Sequence, residues 1–423
     1  MLLALPAQFV HLWWRGREER LWRLRWNERL VWGGARAHPG SLWLHARTAG
    51  EAQLAGVLMA ELRRLNPSWR YLLTHADAEG RIEARALLRP GDVQVWLPFD
   101  TPGAAQRFFR RHKPRVGVLM EQLARPNLLH RAERAGVPVM MANARLPEGE
   151  LHRAQRKGAL TMPGFRGLAL VLAQSDADAQ RLARAGAQHV RTFGNLKFDV
   201  EPPLKLLARG LEWRQAVARP VVLAAGTREG EEAALLQAWA ALPAPRPLLV
   251  IVPRGAKRLA RIRFEVLGHG LALKRRSSWG RELPPAEARQ ADVWLGDTAG
   301  EMALYYGLAD VALLGGSFHP EHGGQNLVEA SACGCPVLLG PHAGRHENVA
   351  DLAIGAGAAE RARGMPEAVR RAVGLARDPM RDAWVRNALA FTKAHRGTVN
   401  RVVGALLALI TTRSGGGIAM PGR

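Results

Sequence analysis

DVALLGGSFHPEHGGQNLVEASACGCPVLLGP, residues Asp310 to Pro341, joins two apolar runs through a polar, glycine-rich loop. VALL and PVLL are short and continuously apolar, the pattern of strands buried on both faces of a parallel sheet. Between them lie His319, His322 and Gly323–Gly324, followed by NLVEASA, whose pattern predicts a helix starting near Asn326. Strand, loop and helix in this order belong to a βαβ unit. Glycines let such a loop approach a ligand closely, and a helix start adds N–H groups and partial positive charge. The segment therefore predicts an anion site beyond the carboxyl end of a strand.

The same alternation extends in both directions. SLWLHA, VQVWLPF, RVGVLM, VPVMMAN and LALVLAQ read as strands before residue 200, and PVVLAAG, PLLVIVPR and DVWLGD read as strands after it. Helical stretches lie between them, for example Glu51 to Leu65 and Asn127 to Ala135. EPPLKLLARG, with its double proline, interrupts the series and reads as a linker. The prediction is an α/β protein of two Rossmann-like domains facing a central cleft, residues 37–205 and 206–380. A long amphipathic helical segment follows (381–412), and the tail RSGGGIAMPGR (413–423) reads as disordered.

At 423 residues the chain has room for two cores. The net charge of +23 favours anionic partners: phosphates, an acidic membrane surface or nucleic acid. Thirteen Trp stand against three Tyr, and Trp suits the membrane–water boundary. Residues 1–36 hold much of this signal. Met1 to Val10 is apolar but shorter than the roughly 20 residues needed to span a bilayer, and no small-residue cleavage site follows it. RGREERLWRLRWNERLVW then sets Trp22 and Trp26 four apart among arginines, the pattern of a helix lying on acidic lipid; the plainer alternative packs these Trp residues on the domain. Cys333 and Cys335 are too close to bridge without strain and form no zinc pattern, which fits a reducing cytoplasmic setting.

Several polar residues fall just beyond predicted strands. In ARTAGEA, Thr48 and Glu51 have the spacing of a capping box, and the same position sets the Glu51 carboxylate at the cleft mouth, able to accept a proton. Glu121 ends RVGVLM, where a carboxylate calls for a buried arginine or a developing positive charge. Lys197 in GNLKFD sits near the domain junction, free to snorkel or to neutralise an anionic sugar. Pro253 and Arg254 follow a strand of the second domain, where a guanidinium fork suits phosphate. Gly226 and Thr227 hold a similar place, and Gly300, Glu301 and Met302 open another helix. In Asn326, Leu327, Val328 and Glu329, the amide and the carboxylate lie one turn apart, suited to ribose and a pyrimidine edge. His319 and His322 occupy a Pro–Gly loop without fixed helical spacing, so no metal site is predicted. There is no Walker loop, and no GxGxxG follows the first strand.

TAGEA, MEQLARPN, NARL, LAQSDADAQRL, GNLKFD, GTREGEE, VPR, GDTAGEM, LYYGLADVALLGGS and GGQNLVEASACGCPVLLGPH occur in this order over roughly residues 10 to 400. Together they resemble the 3-deoxy-D-manno-octulosonic acid (Kdo) transferases of lipopolysaccharide synthesis. The resemblance implies a GT-B glycosyltransferase that moves Kdo from CMP-Kdo to a lipid A precursor with inversion, at the cytoplasmic face of the inner membrane. It implies no metal or other cofactor. By motif, Glu51 is the general base, and Glu121 and Lys197 stabilise the transition state. Pro253, Arg254, Gly300 to Met302 and Asn326 to Glu329 hold CMP. Arg125 stands where the family pattern has Trp, and NLVE where it has Asn-Pro-Leu-Glu. The expected partners are CMP-Kdo, the lipid A precursor and an anionic membrane surface, with no nucleic acid. Three alternatives remain: a GT-B enzyme for another activated sugar, an inactive relative, or a basic nucleic-acid- or lipid-binding protein. Against nucleic acid, the arginines are spread along the chain and the Trp residues cluster at one end.

Overall fold

The computed structural model describes residues 10, 12–14, 16, 17, 20–23, 25–121, 125–156 and 165–411. Two seven-stranded parallel sheets organise it, one in each of two units. The first unit comprises residues 1–200 and 396–423, the second 201–395.

The first sheet contains β1 (Leu42–His45), β2 (Tyr71–His75), β3 (Val93–Trp96), β4 (Val116–Met120), β5 (Val139–Ala144), β6 (Leu170–Ala173) and β7 (Val190–Thr192), in the order β3-β2-β1-β4-β5-β6-β7. Every position of β1, β2, β4 and β5 is buried. Side chains alternate across the pleat: Trp43 joins the core on one face with Phe108 and Met141, while Leu42 and Leu44 join the other with Leu58 and Val118. The strand order reverses between β1 and β4, so their carboxyl ends flank a topological switch point.

The second sheet contains β8 (Val221–Thr227), β9 (Leu248–Pro253), β10 (Leu273–Arg275), β11 (Val293–Leu295), β12 (Val311–Leu314), β13 (Val337–Leu339) and β14 (Ala359–Arg361), in the order β10-β11-β9-β8-β12-β13-β14. Its switch point lies between β8 and β12. There Gly315 must lack a side chain, because a Cβ would sit 2.4 Å from the Gly226 carbonyl oxygen.

Three sequence expectations change. The boundary between the units falls at 200/201 rather than 205/206. The single helix expected over 381–412 is two helices, Arg381–Ala394 and Thr398–Thr411, separated by Gly397 at φ 92°. Only the second returns to the first unit, where Val402, Val403 and Leu406 join Leu42, Leu44 and Leu58 in one core. Asp199 fixes its start by accepting the amides of Gly397 (2.6 Å) and Val399 (2.8 Å). The tail 413–423 lies outside the described residues.

The third change concerns the N-terminal segment. Trp22 and Trp26 do not share one surface helix: Trp22 lies in a 3-10 turn, Arg20–Arg23, and Trp26 opens a five-residue helix, Trp26–Leu30. Arg25 between them is left-handed, at φ 57°. Trp22 is buried and stacks on Trp96 at 5.9 Å. Glu28 is buried as well, accepting the Trp96 amide (3.0 Å) and Arg81 (2.9 Å). Trp13, Trp14 and Trp32 remain exposed. No helix among the described residues is long and apolar enough to cross a membrane.

Candidate active site

Glu51 is the third residue of the Ala49–Leu65 helix, which starts directly beyond β1. The Thr48 hydroxyl caps the helix by accepting the Glu51 amide at 3.3 Å. The reciprocal half of the expected capping box is shifted by one residue: Glu51 Oε2 accepts the amide of Arg47, at 2.7 Å. Oε1 has no hydrogen-bond partner and lies 3.4 Å from Arg47 Nη2. The side chain is 2% exposed. Burial raises its carboxyl to about 7, the Glu121 charge adds to the rise, and the Arg47 amide and guanidinium oppose it.

Glu121 follows β4 with its backbone at φ 58°, a region that non-glycine residues rarely adopt. The turn lifts its carboxylate off the sheet to within 3.4 Å of Lys197 Nζ, so lysine supplies the opposite charge rather than an arginine. Lys197 stands in the 3-10 turn Leu196–Asp199, which two asparagines fix. Asn195 Oδ1 accepts the Lys197 amide (3.0 Å), and Asn143 Oδ1 accepts the Leu196 amide (2.9 Å). Asn143, the next-to-last residue of β5, is buried and is also left-handed, at φ 55°. Left-handed residues that cost of order 1–3 kcal/mol each cluster where a site must be held in one geometry. Glu51, Glu121 and Lys197 thus come together at the carboxyl ends of β1, β4 and β7. Arg47 and Asn143 also belong to this group. The sequence signal for Asn143 was NARL, which starts at the last residue of the predicted strand VPVMMAN.

In the second unit the glycine-rich loop differs from its expectation. Glu231, 2% exposed, opens the Glu231–Ala240 helix. Its carboxylate accepts the amides of Gly316 (2.7 Å), Phe318 (3.0 Å) and Arg228 (2.8 Å). Two amides of the loop expected to form an anion site, those of Gly316 and Phe318, therefore hold the protein's own carboxylate. The helix expected near Asn326 is Val328–Ala332, five residues long. Asn326 precedes it and accepts the Val328 amide at 3.3 Å, so Asn326 and Glu329 do not share a helix face. Glu329 is reached by solvent yet surrounded by protein, and this partial desolvation raises its carboxyl.

Pro253 ends β9 and Arg254 follows, exposed, with its amide bonded to the Thr227 carbonyl at 3.0 Å. Its guanidinium donates to Gln325 Oε1 (3.0 Å), and Gln325 Nε2 donates to the Gly226 carbonyl (2.8 Å). Gly300 (φ 77°) and Glu301 lead into the Met302–Leu308 helix. Both oxygens of Glu301 are engaged, one by buried Arg276 at 2.9 Å and one by the Thr298 hydroxyl. Arg276 lies over Trp213, which packs with Trp279 and Trp294. The Glu301 side chain therefore braces its loop. His319 and His322 face each other at 4.9 Å, and no metal-binding group of His, Cys, Asp and Glu occurs among the described residues. Burial pushes both cysteine thiols up, Cys335 to about 12. Gln325 and Glu231 escaped sequence reading because their roles are contacts across 71 to 99 residues.

Residues 24–200 match the family profile described as 3-Deoxy-D-manno-octulosonic-acid transferase (kdotransferase). The 3-deoxy-D-manno-octulosonic acid transferase of Bordetella pertussis is 42% identical over 95% of this chain and 96% of its own. The Haemophilus influenzae protein of the same name is 31% identical over 72% and 71%. Among solved structures, Anabaena HepE in complex with UDP matches with a TM-score of 0.60 at 16% identity, covering 87% of this chain and 99% of that one. A glycosyltransferase from Rickettsia africae matches at 0.60 and 10% identity, covering 90% and 100%. These structures establish a GT-B-like fold of two Rossmann-like units.

Proposed function

Since the chain belongs to the 3-deoxy-D-manno-octulosonic acid transferase family, and is by that membership a glycosyltransferase, we propose that it moves Kdo from CMP-Kdo to a lipid A precursor with inversion. One observation carries the reading. Glu51 is a buried carboxylate poised near neutral pH, with an oxygen that accepts no hydrogen bond, beside a second carboxylate already paired with lysine. Two carboxyl groups in different environments suit different roles.

In this mechanism the acceptor hydroxyl gives its proton to Glu51, its oxygen bonds to the anomeric carbon, and the bond to the CMP phosphate breaks. The electron pair leaves with CMP. Positive charge developing on the sugar is met by the Glu121 carboxylate, while Lys197 holds Glu121 in place and faces the carboxylate of Kdo. In the second unit Arg254 meets charge on the leaving phosphate, Gly300 to Met302 and Asn326 to Glu329 receive the nucleotide, and Glu329 accepts from ribose.

The setting we propose is the cytoplasmic face of the inner membrane. Exposed Trp13, Trp14 and Trp32 and the charge of +23 suit an anionic lipid surface. The test is incubation of the purified chain with CMP-Kdo and a lipid A precursor, with product masses read directly. Product from the native chain and none from Glu51→Gln supports the reading; full product from Glu51→Gln removes Glu51 from the mechanism. Product only from a different nucleotide sugar transfers the function to that donor.

A further inference from the structure

Arg254 and Arg258 beyond β9 and Arg276 just after β10 are not equivalent as candidates for a phosphate. Arg258 is paired with Glu232 and bonded to the Thr227 carbonyl. Arg276 is buried and paired with Glu301. A carboxylate therefore neutralises each of them. Arg254 is exposed, and its side-chain partner is the neutral amide of Gln325.

The orientation of that amide follows from its neighbours. A guanidinium only donates and a carbonyl only accepts, so the Gln325 oxygen must face Arg254 and its nitrogen the Gly226 carbonyl. Gly226 stands at φ 67°, and a Cβ there would lie 2.3 Å from Gln325 Nε2. The glutamine thus spans β8 and Arg254. A carboxylate would not serve in its place, because it would meet the Gly226 carbonyl without a proton and cancel the arginine's charge.

We propose that Gln325 is a positioning residue for phosphate recognition: it aims the Arg254 guanidinium while leaving its positive charge unneutralised for the nucleotide phosphate. The proposal rests on the reading above, in which Arg254 grips CMP. It also gives the glycine-rich loop a different role. With the Gly316 and Phe318 amides held by Glu231, the loop serves phosphate binding by carrying Gln325.

The test is CMP binding by calorimetry to the full chain and to Arg254→Ala, Gln325→Leu, Gln325→Glu and the Arg254→Ala/Gln325→Leu double variant, with thermal melts to confirm folding. Gln325→Leu is expected to weaken CMP about 5-fold and Arg254→Ala by about 20-fold, in line with charge-assisted contacts. Gln325→Glu weakens binding more than Gln325→Leu, because its charge competes with the phosphate for Arg254. In the double variant Gln325→Leu adds nothing to Arg254→Ala. If Arg254→Ala weakens CMP but Gln325→Leu does not, or its effect persists in the Arg254→Ala background, the positioning role is wrong and the grip by Arg254 stands. If Arg254→Ala leaves CMP binding unchanged, the grip itself is wrong and the positioning role falls with it. Should Gln325→Leu fail to fold, Gln325→Glu alone decides: binding equal to the native chain overturns the proposal.

Discussion

Replacing Glu51 with glutamine should abolish transfer and at the same time make the protein more stable at alkaline pH. The side chain keeps its shape, and glutamine serves at the third position of a capped helix as glutamate does. What disappears is a buried negative charge. The Glu51 carboxyl rises from 4.5 to about 7 on folding. Between those values the native state binds more protons than the unfolded state, so stability falls as pH rises through the window. A rise of that size corresponds to about 3 kcal/mol. The penalty is complete above pH 7 and absent below pH 4.5. Urea unfolding of native protein and Glu51→Gln at pH 8 and pH 4.5 measures it: the variant should gain about 3 kcal/mol at the first pH and nothing at the second. Activity should mirror this in the native chain, with turnover falling tenfold per unit below about pH 7 as the base protonates. A variant that is less stable at pH 8, or that gains equally at both pH values, would refute the claim that this helix start carries an electrostatic cost for the sake of a base.

The neighbours of Glu51 supply the next expectations. Glu121→Gln removes a negative charge that raises the Glu51 carboxyl, so the acidic limb of the pH–rate profile should move to lower pH, even as the maximal rate drops. Arg47→Ala should move that limb to higher pH, because a charge favouring the ionised form is lost. Glu231→Ala should strip three backbone amides of their acceptor, lower unfolding stability by about 3 kcal/mol or more, and weaken CMP through a loosened Gly316–Phe318 turn. Trp22→Ala should destabilise the first unit by about 3–5 kcal/mol in denaturant, whereas Trp13→Ser, Trp14→Ser and Trp32→Ser should leave its stability unchanged and reduce pelleting with anionic vesicles.

The central strands were legible because burial on both faces leaves continuous apolar runs, as in Leu248–Pro253 and Val311–Leu314. β2 escaped because its run Tyr71–Leu73 is cut short by Thr74 and His75, whose polar atoms are satisfied inside the core: Thr74 takes the Trp43 indole N–H at 2.8 Å and His75 meets the Ala46 carbonyl at 2.8 Å. β7, β10 and β14 escaped for a different reason, being three-residue strands with exposed or half-exposed positions. Glu51, Glu121 and Lys197 were visible because each follows a strand or opens a short turn. Sequence spacing could not show that Glu121 pairs with Lys197, 76 positions away, or that Glu231 fills the glycine loop from 85 positions away. The sequence left open whether Trp22 packs on lipid or on the domain, because regular spacing among arginines looks the same in both cases; it stacks on Trp96.

Because the helix Thr398–Thr411 belongs to the first unit, the second unit is an insertion in the chain of the first. A ribosome must therefore pass residue 406 before Val402 and Leu406 can close over Leu42 and Leu44. During synthesis the second unit emerges in one uninterrupted piece, while the earlier one waits with an uncovered apolar face. The contacts that complete its core are of high sequence separation and form late. Removing residues beyond 396 should destabilise the first unit and spare the second in denaturant unfolding.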